Sequence, residues 1–131
     1  MPISENAVSL IHGLSRISVA WVWLYHGLVP KLLGPHKDEI SMAVAHGLSD
    51  SEVFAVLKQA GALEVIFGAV LLILWSSRWP FLVSGLLMIV LLIDVALFTP
   101  QYLAATFNPV STNISVIALS VIGYLTTRGG A

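Results

Sequence analysis

The chain has 131 residues, of which 57% are hydrophobic and only 10% charged, and its formal net charge is −1. Soluble domains carry about 25% charged residues, so these charges are too few to cover a water-facing surface and a soluble globule is excluded. The near-neutral balance (pI about 6.4, mean hydropathy +0.92) excludes the basic footprint of a nucleic-acid binder, and the lack of cysteine removes disulfides, zinc–thiolate sites, iron–sulfur clusters and c-type haem attachment. What remains is a small polytopic membrane protein, read as one domain over residues 1–131.

The first apolar stretch runs from about residue 7 to residue 33, ~40 Å if helical, and ample for a ~30 Å hydrocarbon core. The first eleven residues carry Glu5 and no Lys or Arg. A cleaved signal peptide opens on a basic segment, so this helix is expected to be retained. Pro30, Lys31 and then Gly34-Pro35 close it. Residues 34–57 form the longest polar stretch. Asp38 is expected to cap a short amphipathic helix from Glu39 to His46, with Gly47 taking the left-handed C′ position. Ser49-Asp50-Ser51-Glu52 reads as a capping box ahead of an apolar run, which places a second long helix at 50–75.

Trp75-Ser76-Ser77-Arg78-Trp79-Pro80 is a tight polar turn with tryptophans on both flanks, as at a headgroup interface. A third span at 80–98 contains a single charge, Asp94, and Thr99-Pro100 ends it. Residues 101–109 form a moderately apolar connection lying on the membrane surface. The fourth span, 110–126, has no charge but carries Ser111, Thr112, Asn113, Ser115 and Ser120. The fold expected is therefore all-α: a four-helix transmembrane bundle with a short amphipathic helix in loop 1. Four spans put both termini on one side. Lys and Arg divide evenly between the sides, but residues 31–58 carry one more acid than base, which favours cytoplasmic termini.

A charge inside a span costs about 2.5–3.5 kcal/mol on insertion scales, so the residues that bear that cost are the informative ones. They are Arg16, His26, Glu64 and Asp94, with Lys31 at the boundary. At 100° per residue, His12, Trp23, Gly27, Pro30 and Lys31 fall within about 60° of Arg16, whereas Trp21 and Tyr25 fall on the opposite side. Arg16 and Trp23 are thus expected to point into the bundle or a lateral groove, with Tyr25 outward. Gly61 and Gly68 flank Glu64, and small residues there allow close helix approach.

Depth adds a second signal. His26 lies inside Lys31, Glu64 inside Lys58, Asp94 inside Pro100 and Asn113 inside Pro109, each by four to six residues. All four fall ~6–9 Å from the loop-1 boundary. The expected ligand or proton site is therefore a layer of His26, Lys31, Glu64, Asp94 and Asn113. A carboxylate stranded in a low-dielectric site prefers a partner or a proton, so Glu64 is expected to pair with Lys31 or to serve as a proton site. His36 and His46 are expected to be solvated loop residues. One histidine among carboxylates of separate helices is not a metal signature, and no metal is expected. There is no nucleophile elbow, Walker loop or H-E-x-x-H, so no self-contained catalytic motif is present.

The run from Arg16 to Leu33, R-I-S-V-A-W-V-W-L-Y-H-G-L-V-P-K-L-L, with Gly61-Ala62-Leu63-Glu64-Val65-Ile66-Phe67-Gly68 and with Phe107-Asn108-Pro109 followed by Asn113, resembles a branch of the DoxX-like family of small membrane proteins. The resemblance covers nearly the whole chain. It implies a four-helix bundle in the cell inner membrane. Relatives include a thiosulfate:quinone oxidoreductase subunit and a complex joining superoxide dismutase to a sulfurtransferase. The expected role is thus an accessory or anchor subunit, redox-associated, with a polar intramembrane pocket suited to a quinone or other small ligand. The expected partners are the lipid bilayer, a soluble or membrane redox protein and, in one reading, further copies of the chain; no nucleic acid is expected. A small proton-coupled transporter and a purely structural or assembly protein remain the alternatives.

Overall fold

Local signals decide where each helix begins. In the computed structural model, which describes residues 3–129, helix α1 spans Glu5–Gly27, α2 Lys37–Ala45, α3 Asp50–Ile73, α4 Trp79–Phe98 and α5 Pro109–Thr126. Every regular element among the described residues is helical. Ser4 caps α1, its hydroxyl accepting from the Ala7 amide at 3.2 Å. The capping box of α3 forms as expected: Glu52 Oε2 accepts from the Ser49 amide at 2.8 Å. Pro80 and Pro109 sit in the first turns of α4 and α5, where a missing N–H leaves no carbonyl unpaired. Asn108 Oδ1 accepts from the Ser111 amide at 3.0 Å and completes the start of α5. The four long helices are long and apolar enough to cross a membrane.

Two boundaries depart from expectation. The first span does not run as one α-helix to residue 33. It passes into a π-helical turn over Leu28–Leu32, closed by the Leu33 amide on the Leu28 carbonyl at 2.8 Å. Pro30 explains the change, because it removes a donor and its ring clashes with an α-helical ladder. The wider turn carries Lys31 inward, where it is buried. The short helix begins at Lys37, with His36 rather than Asp38 as its cap; His36 Nδ1 accepts from the Asp38 amide at 3.3 Å. Gly47 then takes φ +82°, the left-handed position expected of it.

Helix α1 is the central staff, packing along both α3 and α5, while α4 packs along α5. The α1–α3 approach depends on two glycines. A Cβ on Gly27 would meet the Gly61 carbonyl oxygen at 2.5 Å, and one on Gly61 would meet the Gly27 carbonyl at 2.8 Å. The main core joins Val19, Ala20 and Trp23 of α1 to Leu71, Phe81, Met88 and Val116. A second cluster, Ala43 with Val53 and Leu57, fastens α2 to α3. At the bundle end opposite α2, Arg128 reaches Glu5, at 3.5 Å between charged groups, so the starts and ends of the bundle meet there.

Candidate functional site

Polar groups gather at the two ends of the bundle, and the ends are built differently. At the end formed by the α3–α4 turn, Arg16 is 0% exposed. Its position on α1 follows from the buried series His12, Ser15, Arg16, Val19, Ala20, Trp23 and Gly27, which repeats at helical spacing. Its Nη1 donates to the Leu71 and Leu74 carbonyls at 2.8 and 2.9 Å. Its Nη2 donates to the Ser77 carbonyl at 2.6 Å. Its Nε donates to His12 Nε2 at 3.0 Å, so His12 is the neutral tautomer with its own proton on Nδ1. The Phe81 ring lies 4.4 Å from the guanidinium and the Trp75 ring 5.9 Å.

Among the described residues, no carboxylate takes part. The last carbonyls of α3 have no partners within their own helix and carry the negative end of its dipole. Arg16 supplies both the donors and the opposite charge. The same device recurs at two other helix ends. Lys58 donates to the Leu32 carbonyl, and reaches Gly34 O at 3.4 Å, past the end of the first span. Arg78 donates to Thr127 O at 3.1 and 3.3 Å, at the end of α5.

Trp23 is buried beside this cage. Its indole N–H donates to Ser84 Oγ at 2.9 Å, Ser120 Oγ donates to the same oxygen at 3.1 Å, and Phe67 packs edge-on at 5.0 Å. Arg16 and Trp23 therefore lie in the bundle interior, while Trp21 and Tyr25 are 64% and 47% exposed on the far face of α1. The helical facing inferred from the sequence holds. A lateral groove does exist, about 380 Å³ in volume, but it runs between α1 and α5. It is walled by Ile17, Trp21 and Val22 against Ser115, Val116 and Leu119, with neither Arg16 nor Trp23 in its lining.

At the loop-1 end the groups are carboxylates, lysines and histidines. Lys31 Nζ lies 3.1 Å from Glu64 Oε2 on α3 and 3.2 Å from Glu39 Oε1 on α2. The side chains are 11% exposed for Lys31 and 16% for each acid. The pairing of Lys31 with Glu64 matches the expectation from depth; Glu39 is an addition. Asp94 pairs not with this group but with His46 of α2, Nε2 to Oδ1 at 2.9 Å. Asn113 is buried and donates from Nδ2 to the Met88 carbonyl at 3.1 Å, joining α5 to α4. His26 is exposed beside Tyr25, with ring centroids 6.4 Å apart.

The five residues of the expected layer are thus divided among four settings, and no hydrogen bond joins one setting to another. Equal depth does not impose equal direction around the bundle. His26 lies about 80° round the helix from Arg16 and falls on the flank of α1. Glu39, His46, His12 and Ser84 carry contacts that the sequence reading did not assign. For His12 the signal was present, since it sits one turn from Arg16. For Glu39 and His46 it was the amphipathic helix itself, whose path over the bundle no spacing reveals. Among the described residues, no three His, Cys, Asp or Glu side chains converge as a metal site would need.

The family signal agrees with this architecture. The profile of the DoxX-like family matches residues 20–121. The chain belongs to the DoxX-like family. No curated protein and no solved structure matches it. The match begins after Arg16 and covers Trp23, both polar settings at the loop-1 end and the Asn113 bridge. As a DoxX-like protein with four apolar helices, it is a small multi-pass integral membrane protein.

Proposed function

We propose that this DoxX-like protein is an accessory or anchor subunit of the cell inner membrane, with cytoplasmic termini. In this reading it serves a redox partner, and its loop-1 end receives the head of a quinone or another small ligand. The observation that carries the reading is Lys31 held between Glu39 and Glu64. One ammonium cannot neutralise two carboxylates, so the cluster keeps a spare negative charge or a spare proton at the membrane edge. A group that can hold or release a proton beside an apolar bundle suits a ligand whose carbonyls gain protons on reduction. His26, Asp94 and Asn113 complete the proposed polar layer, and Arg16 and Trp23 hold the scaffold behind it.

The closed interior favours this over proton-coupled transport. Arg16, Trp23, Ser84, Ser120 and Asn113 all pair with one another or with the backbone, and an apolar cluster lies among them. A polar route through the bundle would have to break that cluster.

The test uses affinity-purified protein in mild detergent, with a short-chain ubiquinone as probe. Wild type is expected to bind it, and E64Q is expected to keep its melting temperature within a few degrees while losing binding at least tenfold. Recovery of a redox protein with the tagged chain from native membranes supports the accessory role. Wild type that fails to bind the quinone, or E64Q that binds it unchanged, overturns the ligand reading.

A further inference from the structure

The contacts of His46 carry a conclusion independent of any ligand. Its Nδ1 lies 2.8 Å from the Met42 carbonyl oxygen, and its Nε2 lies 2.9 Å from Asp94 Oδ1. A carbonyl oxygen can only accept, so Nδ1 must bear a hydrogen. A neutral imidazole carries one hydrogen, which leaves Nε2 as an acceptor facing a carboxylate oxygen. Two acceptors at 2.9 Å repel. The arrangement is satisfied only when the pair holds one more proton, as imidazolium facing carboxylate.

The pair also has a mechanical position. His46 ends α2, and Asp94 lies one turn from the end of α4. The His46 ring stacks on Phe98 of α4, with centroids 4.3 Å apart. The other end of α2 is tied to the π-helical turn after α1 through Glu39 and Lys31. Helix α2 is therefore a strap across the loop-1 end, fixed at one end by a lysine pair and at the other by a histidine. Both His46 and Asp94 are about a third exposed, so water delivers the proton.

We propose that His46 and Asp94 form a proton-binding site that clamps α2 onto α4, closed when the proton is bound and released when it leaves. The surroundings keep the switch simple. From α4, Asp94 is the charged group facing His46. Helix α3 presents Val53 and Leu57 to α2, while Glu52 is engaged in its own cap and Asp50 is exposed at the helix start. The Pro100–Ala104 turn carries no charge. On α2 itself, Glu39 is held by Lys31 and Asp38 lies near His36. The hydrogen bond to Asp94, then the Met42 carbonyl, raise the proton affinity of His46 above that of an ordinary histidine. A raised histidine stabilises the clamp fully at low pH and loses that contribution as pH rises through the raised value, above ~6.5.

The chain has no cysteine, so spin labels at Ser41→Cys on α2 and Leu97→Cys on α4 report the strap alone. In lipid nanodiscs the distance distribution is expected to be single and narrow at pH 5.5. At pH 8.5 a longer, broader component should hold at least half of the population. H46Q should show the same distribution at both pH values, whichever state it adopts. NMR of wild type carrying ¹⁵N-histidine and no spin label should find both His46 ring nitrogens protonated at pH 5.5. A wild-type distribution unchanged between the two pH values overturns the proposal. So does a pH response that survives in H46Q, or a neutral His46 ring at pH 5.5.

Discussion

The Arg16 end and the loop-1 end both place charges inside a bundle of apolar helices, and they solve the resulting problem in opposite ways. Arg16 is matched by neutral carbonyls and a neutral histidine. A guanidinium keeps its charge at any physiological pH, backbone carbonyls do not titrate, and a second proton on His12 would have to sit on Nε2 facing the guanidinium N–H, so this end is fixed. At the loop-1 end, the partners are Glu39, Glu64, Asp94 and His46. Each can gain or lose a proton, so the contacts there are conditional. On the proposed reading, the bundle keeps its shape from the fixed end while the other responds to protonation.

The largest effect should come from breaking the fixed end. Arg16→Met removes the donor from the Leu71 and Ser77 carbonyls and from His12, while the Leu74 carbonyl keeps the Ser77 amide at 3.0 Å. An orphaned acceptor costs about 1–3 kcal/mol when buried, so the loss should be ~3 kcal/mol, read as a large drop of the melting temperature in detergent. Arg16→Lys should recover only part of it, because an ammonium cannot span three carbonyls and His12 with the guanidinium's fixed fork. Next comes Gly61→Leu, which forces the α1 and α3 backbones apart at Gly27. Overpacking of this kind costs roughly 1–3 kcal/mol, and a drop in melting temperature together with weaker α1–α3 cross-linking would register it.

At the conditional end, the effects should be smaller and should depend on which partner is lost. Lys31→Met leaves Glu39 and Glu64 facing one another and should cost more than Glu64→Gln, after which Lys31 still has Glu39. A largely buried lysine that keeps one of its two acids should lose about 1 kcal/mol, below the 3–5 kcal/mol of a buried pair broken outright. Equal melting temperatures for the two variants would remove the distinction. A change of similar size, about 1 kcal/mol, should come from Trp23→Phe, which keeps most of the packing and loses the hydrogen bond to Ser84.

These contrasts also mark what the sequence could convey. Helix positions were legible because capping residues, prolines and apolar spans are local signals: Ser49 with Glu52, Pro80 and Pro109 each act within one turn. The inward face of α1 was legible because Arg16, Trp23 and Gly27 share a helical stripe. The Lys31–Glu64 pair was legible because a carboxylate inside a span needs a partner or a proton and Lys31 lies at the nearby boundary. The carbonyl partners of Arg16 were not, since a helix-end carbonyl leaves no mark on the residue type that bears it. The π-helical turn at Leu28–Leu32 depended on how Pro30 is accommodated, which spacing does not decide. Glu39 and His46 were obscured for another reason: the route of α2 across the bundle is set by the cluster of Ala43, Val53 and Leu57, a tertiary contact.

The division between a fixed and a conditional end is tested most directly by amide hydrogen exchange of the full chain in nanodiscs at pH 5.5 and 8.5, corrected for intrinsic exchange rates. The account predicts that protection over α2, residues 37–45, falls at least tenfold at the higher pH. Protection at the end of α3 and in the turn that follows, residues 69–78, should change less than twofold. Equal loss of protection at both ends, or a larger loss around Arg16 than along α2, would contradict it.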